Sequence, residues 1–125
     1  MGIDASRADL RFRNYAGRDL SEANFSRSFL DDSIFTACKL MGANFDFARL
    51  KGANLSYTVL TGASFIGARL RSATFAFAVL DEANFRRANL MGTNFRGARL
   101  RGVNFSQAYL LGTRFEDADL TGAIF

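Results

Sequence analysis

Large apolar side chains recur along this chain at every fifth position. Counting from Leu10, the series Leu10, Tyr15, Leu20, Phe25 continues without a break to Leu120 and Phe125, and all 24 positions hold Leu, Phe or Tyr. Two residues before each of these centres the side chain is small in most units, as at Ala8, Ala23, Ala43, Ala53 and Ala68; only Arg13 and Arg18 depart outright. A helix would place apolar residues three and four apart, and a plain strand would alternate with a period of two. The small-x-large triplet satisfies strand alternation, so the other two residues of each unit must turn the chain. The predicted element is a short strand plus a corner, repeated into an all-β coil with flat sides.

Glycine marks the corner. Of the 11 glycines, 10 lie two residues after a centre, from Gly17 to Gly122. Concentration in one phase points to a position of positive φ, the third residue of a type II turn. Units that carry Arg27, Tyr57 or Phe77 at this phase are expected to use a less regular turn. Proline is absent, consistent with every side keeping its backbone donors for the coils above and below.

The triplets Ala8-Asp9-Leu10, Ala23-Asn24-Phe25, Ala53-Asn54-Leu55 and Ala118-Asp119-Leu120 fit the unit Ala-(Asp/Asn)-Leu-x-x, and over residues 8–125 the chain resembles the pentapeptide-repeat family. The resemblance implies a right-handed quadrilateral β-helix (β-solenoid) with four units per coil, here about six coils in a rod roughly 29 Å long. Residues 1–125 then form a single solenoid domain, with residues 1–7 as an irregular N-terminal cap. One feature supports an even number of sides independently. From residue 60 onward Leu and Phe alternate strictly at the centres, which would stack like on like along opposite sides.

Charge sharpens the picture through its distribution. Residues 49–114 carry 10 basic and 2 acidic side chains, whereas residues 1–48 carry 6 basic and 7 acidic. The plain reading is a solvated outer face; the sharper one is a surface for acidic partners. If units four apart stack, Arg49, Lys51, Arg69 and Arg71 form one cationic column. Tyr57 then lies over Phe77 and Val59 over Val79, an outward apolar patch two coils high beside that column. A third cationic group comprises Arg96, Arg99, Arg101 and Arg114. Asn24, Asn44, Ser64, Asn84 and Asn104 make a polar ladder, expected to bond neighbouring turns. In the last coil Tyr109, Leu111 and Phe125 are candidates for contact with a second copy. At the other end Phe12 is expected to fold over the open coil.

Conventional catalytic chemistry is absent. The chain has no histidine, so neither the common general base nor the common zinc ligand is present. The acidic pairs Asp31-Asp32, Asp81-Glu82 and Glu116-Asp117 fall at different corners. No cofactor or metal is expected. The lone Cys38 occupies a small inward position and is read as a packed, reduced thiol. No apolar run suits a signal peptide or a membrane span, and the compartment expected is the cytoplasm. The start Met1-Gly2-Ile3-Asp4-Ala5-Ser6 matches an acylation pattern that nothing else in the chain supports.

The function these readings favour is a non-catalytic scaffold for another protein. The resemblance also raises two alternatives. Some members of the family regulate DNA gyrase by mimicking DNA with an acidic surface, a mode that the basic middle of this chain weakens. The cationic columns could instead contact nucleic acid directly.

Overall fold

The computed structural model describes residues 2–125 as a continuous β-solenoid. Every isolated parallel bridge joins residues 20 apart, from Asp4 with Asn24 to Asn104 with Ile124. Four five-residue units therefore return the chain to the same column. The bridge residues form four columns, named here by the Asn24, Arg49, Asn54 and Val59 positions. Among the described residues each side contributes one bridge residue and no longer strand. The predicted short strand is thus a single rung, because a corner consumes most of each five-residue side.

The backbone hydrogen bonds repeat unit by unit. The N–H of each centre donates to the coil above, as Leu50 does to the Arg69 carbonyl at 2.7 Å. The second corner residue does the same, Gly52 to Arg71 at 3.1 Å. The bridge residue donates downward, Asn54 to Ser33 at 3.0 Å, and the small residue closes the corner, Ala53 to Leu50 at 3.0 Å. Four of the five donors are thereby committed, which is what buried backbone requires. The fifth, on the first corner residue, has no place in this scheme.

The corner is more uniform than glycine placement suggests. All 10 corner glycines have φ between 64° and 75°, and the 14 other residues at the same phase have φ between 57° and 65°. Arg27, Tyr57 and Phe77, expected in less regular turns, adopt the same conformation. Any other backbone there would break the spacing between coils, so side chains accept a left-handed conformation that ordinarily disfavours them by about 1–2 kcal/mol. Several of these side chains lie over a glycine in the next coil. A Cβ on Gly67 would meet the Phe47 ring at 2.5 Å, and one on Gly97 would meet Phe77 at 2.5 Å.

The repeat also begins earlier than the sequence indicates. Asp4 bridges Asn24, Arg7 has φ 57°, and the Ala5 and Arg7 N–H groups donate to the Asn24 and Ser26 carbonyls. Residues 4–7 are a regular unit with Ala5 at its centre, rather than the irregular cap expected over 1–7; Met1 of that cap, and of the acylation pattern, lies outside the described residues. Phe12 does not close the open end, since it is 72% exposed. Arg13 and Arg18 are exposed despite their inward phase.

Inside, the centres from Leu20 to Phe105 are at most 6% exposed. Phe45, Phe65 and Phe85 stack at 4.8 and 4.7 Å along one side. Phe75, Phe95 and Phe115 stack at 5.0 and 5.5 Å along the opposite side. The two ladders meet edge to face, with Phe65 and Phe75 at 5.4 Å and 89°, the arrangement the ring quadrupole favours. Leu55 interrupts the second ladder, so Phe35 stacks downward on Tyr15 at 5.1 Å instead.

Strain and clearance can be separated at two glycines. A Cβ on Gly62 meets nothing within 4 Å, so Gly62→Ala should cost only the conformational term, about 1 kcal/mol. Gly67→Ala should cost about 1–3 kcal/mol more through the clash with Phe47. Urea unfolding should show that excess, and Phe47→Ala in the Gly67→Ala background should remove it; an unchanged excess would place the cause elsewhere.

Candidate functional site

The outer surface is organised by the one backbone donor that stacking leaves over. In 12 units an Asn or Asp at the bridge position accepts it: the N–H groups of Ser26, Arg86 and Ser106 donate to the Oδ1 atoms of Asn24, Asn84 and Asn104 at 2.9, 3.0 and 2.9 Å. The four asparagines of the polar ladder therefore serve their own corner two positions on, not the neighbouring turn as expected, whereas the Ser64 hydroxyl donates to Asp46 one coil below. The short side chain reaches back on its own backbone, as Asx turns do.

The same geometry sets the acidity of the bridge carboxylates. The Ser21 N–H holds Asp19 below the ordinary carboxyl value of 3.8, and the Thr121 hydroxyl and N–H do the same for Asp119. Both groups are exposed, so screening by solvent limits their weight.

At three corners whose bridge residue is not Asn or Asp, a second device operates. The N–H groups of Lys51, Ile66 and Arg101 donate to carboxylates one coil below, on Asp31, Asp46 and Asp81, at 3.1, 2.9 and 3.3 Å. Asp31, Asp46 and Asp81 are thus engaged in structure. Asp81 also accepts from Arg99 Nε at 2.9 Å.

The cationic column exists as expected. Arg49 and Arg69 are bridge partners, and Arg49, Lys51, Arg69 and Arg71 line one open depression of about 280 Å³ with Asp31 and Asn89. Arg49 lies over the Phe29 ring, 4.9 Å from its centroid. Among the described residues none of these four cations forms an ion pair within 4 Å. The third group differs: Arg99 pairs with Asp81, Arg101 with Asp119 and Arg114 with Glu116. Three of the four cations in that group are paired within the chain and, among the described residues, Arg96 is not, so a solvated structural face accounts for most of it.

The apolar patch also exists, but not beside the cations. Tyr57 and Phe77 stack at 5.3 Å and 19°, and are 63% and 48% exposed. Val59 bridges Val79, and both are half-buried. The Val59 column stands half a coil from the Arg49 column. The eight candidate residues therefore form two surfaces, separated by the Asn54–Thr74 side, rather than one. Tyr109 and Leu111 continue the Arg49 side into the last coil, whereas Phe125 belongs to the Asn24 side; they are 66%, 75% and 62% exposed. Neither Asp31, read from sequence only as half of an acidic corner pair, nor Asn89 was placed with the column from sequence. Each stands one full coil from a cation of the column, Asp31 from Lys51 and Asn89 from Arg69. Counting by coils rather than by units would have found them.

Cys38 is buried, donates to the Tyr15 carbonyl at 3.0 Å, and burial pushes its thiol above the ordinary value. Among the described residues no group of His, Cys, Asp and Glu could hold a metal ion, and no helix is long and apolar enough to cross a membrane.

A family model described as a pentapeptide repeat region matches residues 8–85, and one described as pentapeptide repeats matches residues 68–107 and 98–125. Among solved structures, a pentapeptide repeat protein from the Arabidopsis thaliana thylakoid lumen is 32% identical, with a TM-score of 0.63, over 72% of this chain and 66% of that one. This chain thus spans just under two thirds of that protein. Rfr23 from the cyanobacterium Cyanothece 51142 is 23% identical, with a TM-score of 0.65, over 98% of this chain and 90% of that one. A trypsin-treated form of QnrB1, a plasmid-mediated fluoroquinolone resistance protein, is 22% identical, with a TM-score of 0.67, over 98% and 70%. The last two likenesses concern fold alone. No curated protein matches the chain.

The carboxylate chemistry predicts an acid response. Because the folded values of Asp19 and Asp119 lie below the unfolded one, their contribution is present above the unfolded value and is lost as pH falls through the folded values. Urea midpoints at about pH 7 and about pH 2.5 should therefore differ less in Asp19→Asn/Asp119→Asn, which keeps both Oδ1 acceptors, than in the parent. An equal drop in both proteins would assign the acid response to other groups.

Proposed function

The chain belongs to the pentapeptide-repeat family, and from that premise we propose that it is a non-catalytic scaffold whose outward sides hold a protein partner. The finer fold that accompanies this reading is a right-handed, four-sided helix of about six coils, for which the constant offset between bridge partners is the support. The observation that carries the reading is the exposed stack of Tyr57 on Phe77. These rings stand on a hydrogen-bonded lattice, and Phe77 rests over Gly97. Aromatic side chains held in place before contact lose little entropy on binding, and they are the type that anchors protein interfaces.

The absence of histidine and the structural engagement of Asp31, Asp46 and Asp81 support a non-catalytic role. A reducing compartment such as the cytoplasm suits the free, buried Cys38. A regulator of DNA gyrase that mimics DNA would require an acidic surface, whereas residues 49–114 carry 10 basic and 2 acidic side chains. Direct nucleic-acid contact through the third arginine group is disfavoured by its internal ion pairs. In the last coil, a second copy of the chain is the proposed cover for Tyr109, Leu111 and Phe125, which are large, apolar and exposed.

Affinity capture from lysate should retain a protein that is lost with Tyr57→Ala/Phe77→Ala and kept with a surface control. Retention in the double variant, an altered gyrase supercoiling assay, or a salt-sensitive gel shift of DNA would each argue against the scaffold reading. For the self-contact, light scattering at rising concentration should report a dimer that Leu111→Glu disrupts; a monomer throughout would remove that part.

A further inference from the structure

One leftover corner donor stands among unpaired cations. In the Arg99–Arg101 corner, Asp81 sits one coil below and accepts both the Arg101 N–H, at 3.3 Å, and Arg99 Nε, at 2.9 Å. The Arg69–Arg71 corner repeats this arrangement without its carboxylate. Arg69 stands at the phase of Arg99, Arg71 at that of Arg101, and Lys51 fills the position Asp81 holds in the other corner. Among the described residues the Arg71 N–H donates to no protein group. Asp31, at the lower end of the depression, is already turned to the Lys51 N–H at 3.1 Å. The free half of the depression therefore lies toward Asn89, at the level of Arg69 and Arg71.

We propose that this depression is a carboxylate-binding site for an extended acidic peptide segment of a protein partner. A glutamate or aspartate side chain accepts the Arg71 N–H and the Arg69 guanidinium, taking the place that Asp81 fills at the other corner. Arg49, Lys51 and Arg71 supply flanking charge for neighbouring acidic residues. The inference deepens the scaffold reading and rests on it, since it names the chemistry of the partner on one of the two surfaces.

Two observations favour a peptide over a nucleic acid. The four cations span two coils, a rise of about 5 Å, too short for the run of roughly 6–10 phosphate contacts that strong non-specific binding uses. The exposed Tyr57–Phe77 stack, which bases would need for stacking, lies beyond the Asn54–Thr74 side and not among these cations.

The test is fluorescence anisotropy of a labelled oligoglutamate peptide, with a labelled DNA oligonucleotide and inorganic phosphate as the other probes. Lys51→Asp supplies the missing carboxylate within the chain. It should weaken peptide binding about tenfold or more, the worth of a charge-assisted hydrogen bond, while raising the urea midpoint. Lys39→Asp, an equal change of charge on the opposite side, should weaken binding by less than about threefold. In an amide spectrum the Arg71 N–H should shift on adding peptide to the parent protein. Equal losses in the two variants would show diffuse attraction only. Tighter DNA binding with the same dependence on Lys51, or displacement of the peptide by equimolar phosphate, would reassign the site. A static Arg71 amide would overturn the proposal even if Lys51→Asp failed to fold. Because lysate capture reads the Tyr57–Phe77 surface and this titration the Arg69–Arg71 surface, the two readings can fail separately.

Discussion

The constraint on which this molecule depends is the hydrogen-bond register between coils. Each unit must deliver two N–H groups upward and one downward, always to the unit one full coil away. A single five-residue unit has no structure of its own, since its donors are met only by the next coil. That is why the corner is invariant: all 24 second corner residues are left-handed, whatever their side chain. Local preference yields to a lattice in which each mis-set corner would unpair several donors at once.

The interior and exterior answer different demands of that lattice. Inside, successive centres are forced into register, so like side chains stack and the two Phe ladders meet edge to face. Outside, the lattice leaves one donor per unit unserved, and the surface is arranged around it. Asn and Asp at bridge positions serve it locally, and Asp31, Asp46 and Asp81 serve it from one coil below. Much of the polar surface of this solenoid is therefore backbone accounting. Arg49, Arg69, Arg71, Tyr57 and Phe77 are among the residues that escape this accounting and are left free for contact.

A rigid rod with separate sides also separates functions. The apolar and cationic surfaces have a whole side of the coil between them and cannot engage one flat partner together. A partner that uses both must wrap around, or two partners must bind. The ion pairs of Arg99, Arg101 and Arg114 leave the later coils electrostatically quieter than their basic count indicates.

The regular phase of Leu, Phe and Tyr determined by itself that the chain is an all-β coil, which side chains point inward and where the corners fall, because burial of one large side chain per unit is a local property of the sequence. The alternation of Leu and Phe was enough to foresee the ladders. Only the tertiary structure decided what depends on the neighbouring coil. Arg27, Tyr57 and Phe77 take the glycine conformation because their hydrogen bonds to the coil above require it. Asn24 turns to its own corner because that donor alone is left unserved. Asp31 joins the cationic depression, and Val59 and Val79 leave it, because position around the solenoid is counted in whole coils, whereas the sequence pattern repeats in single units, four to a coil.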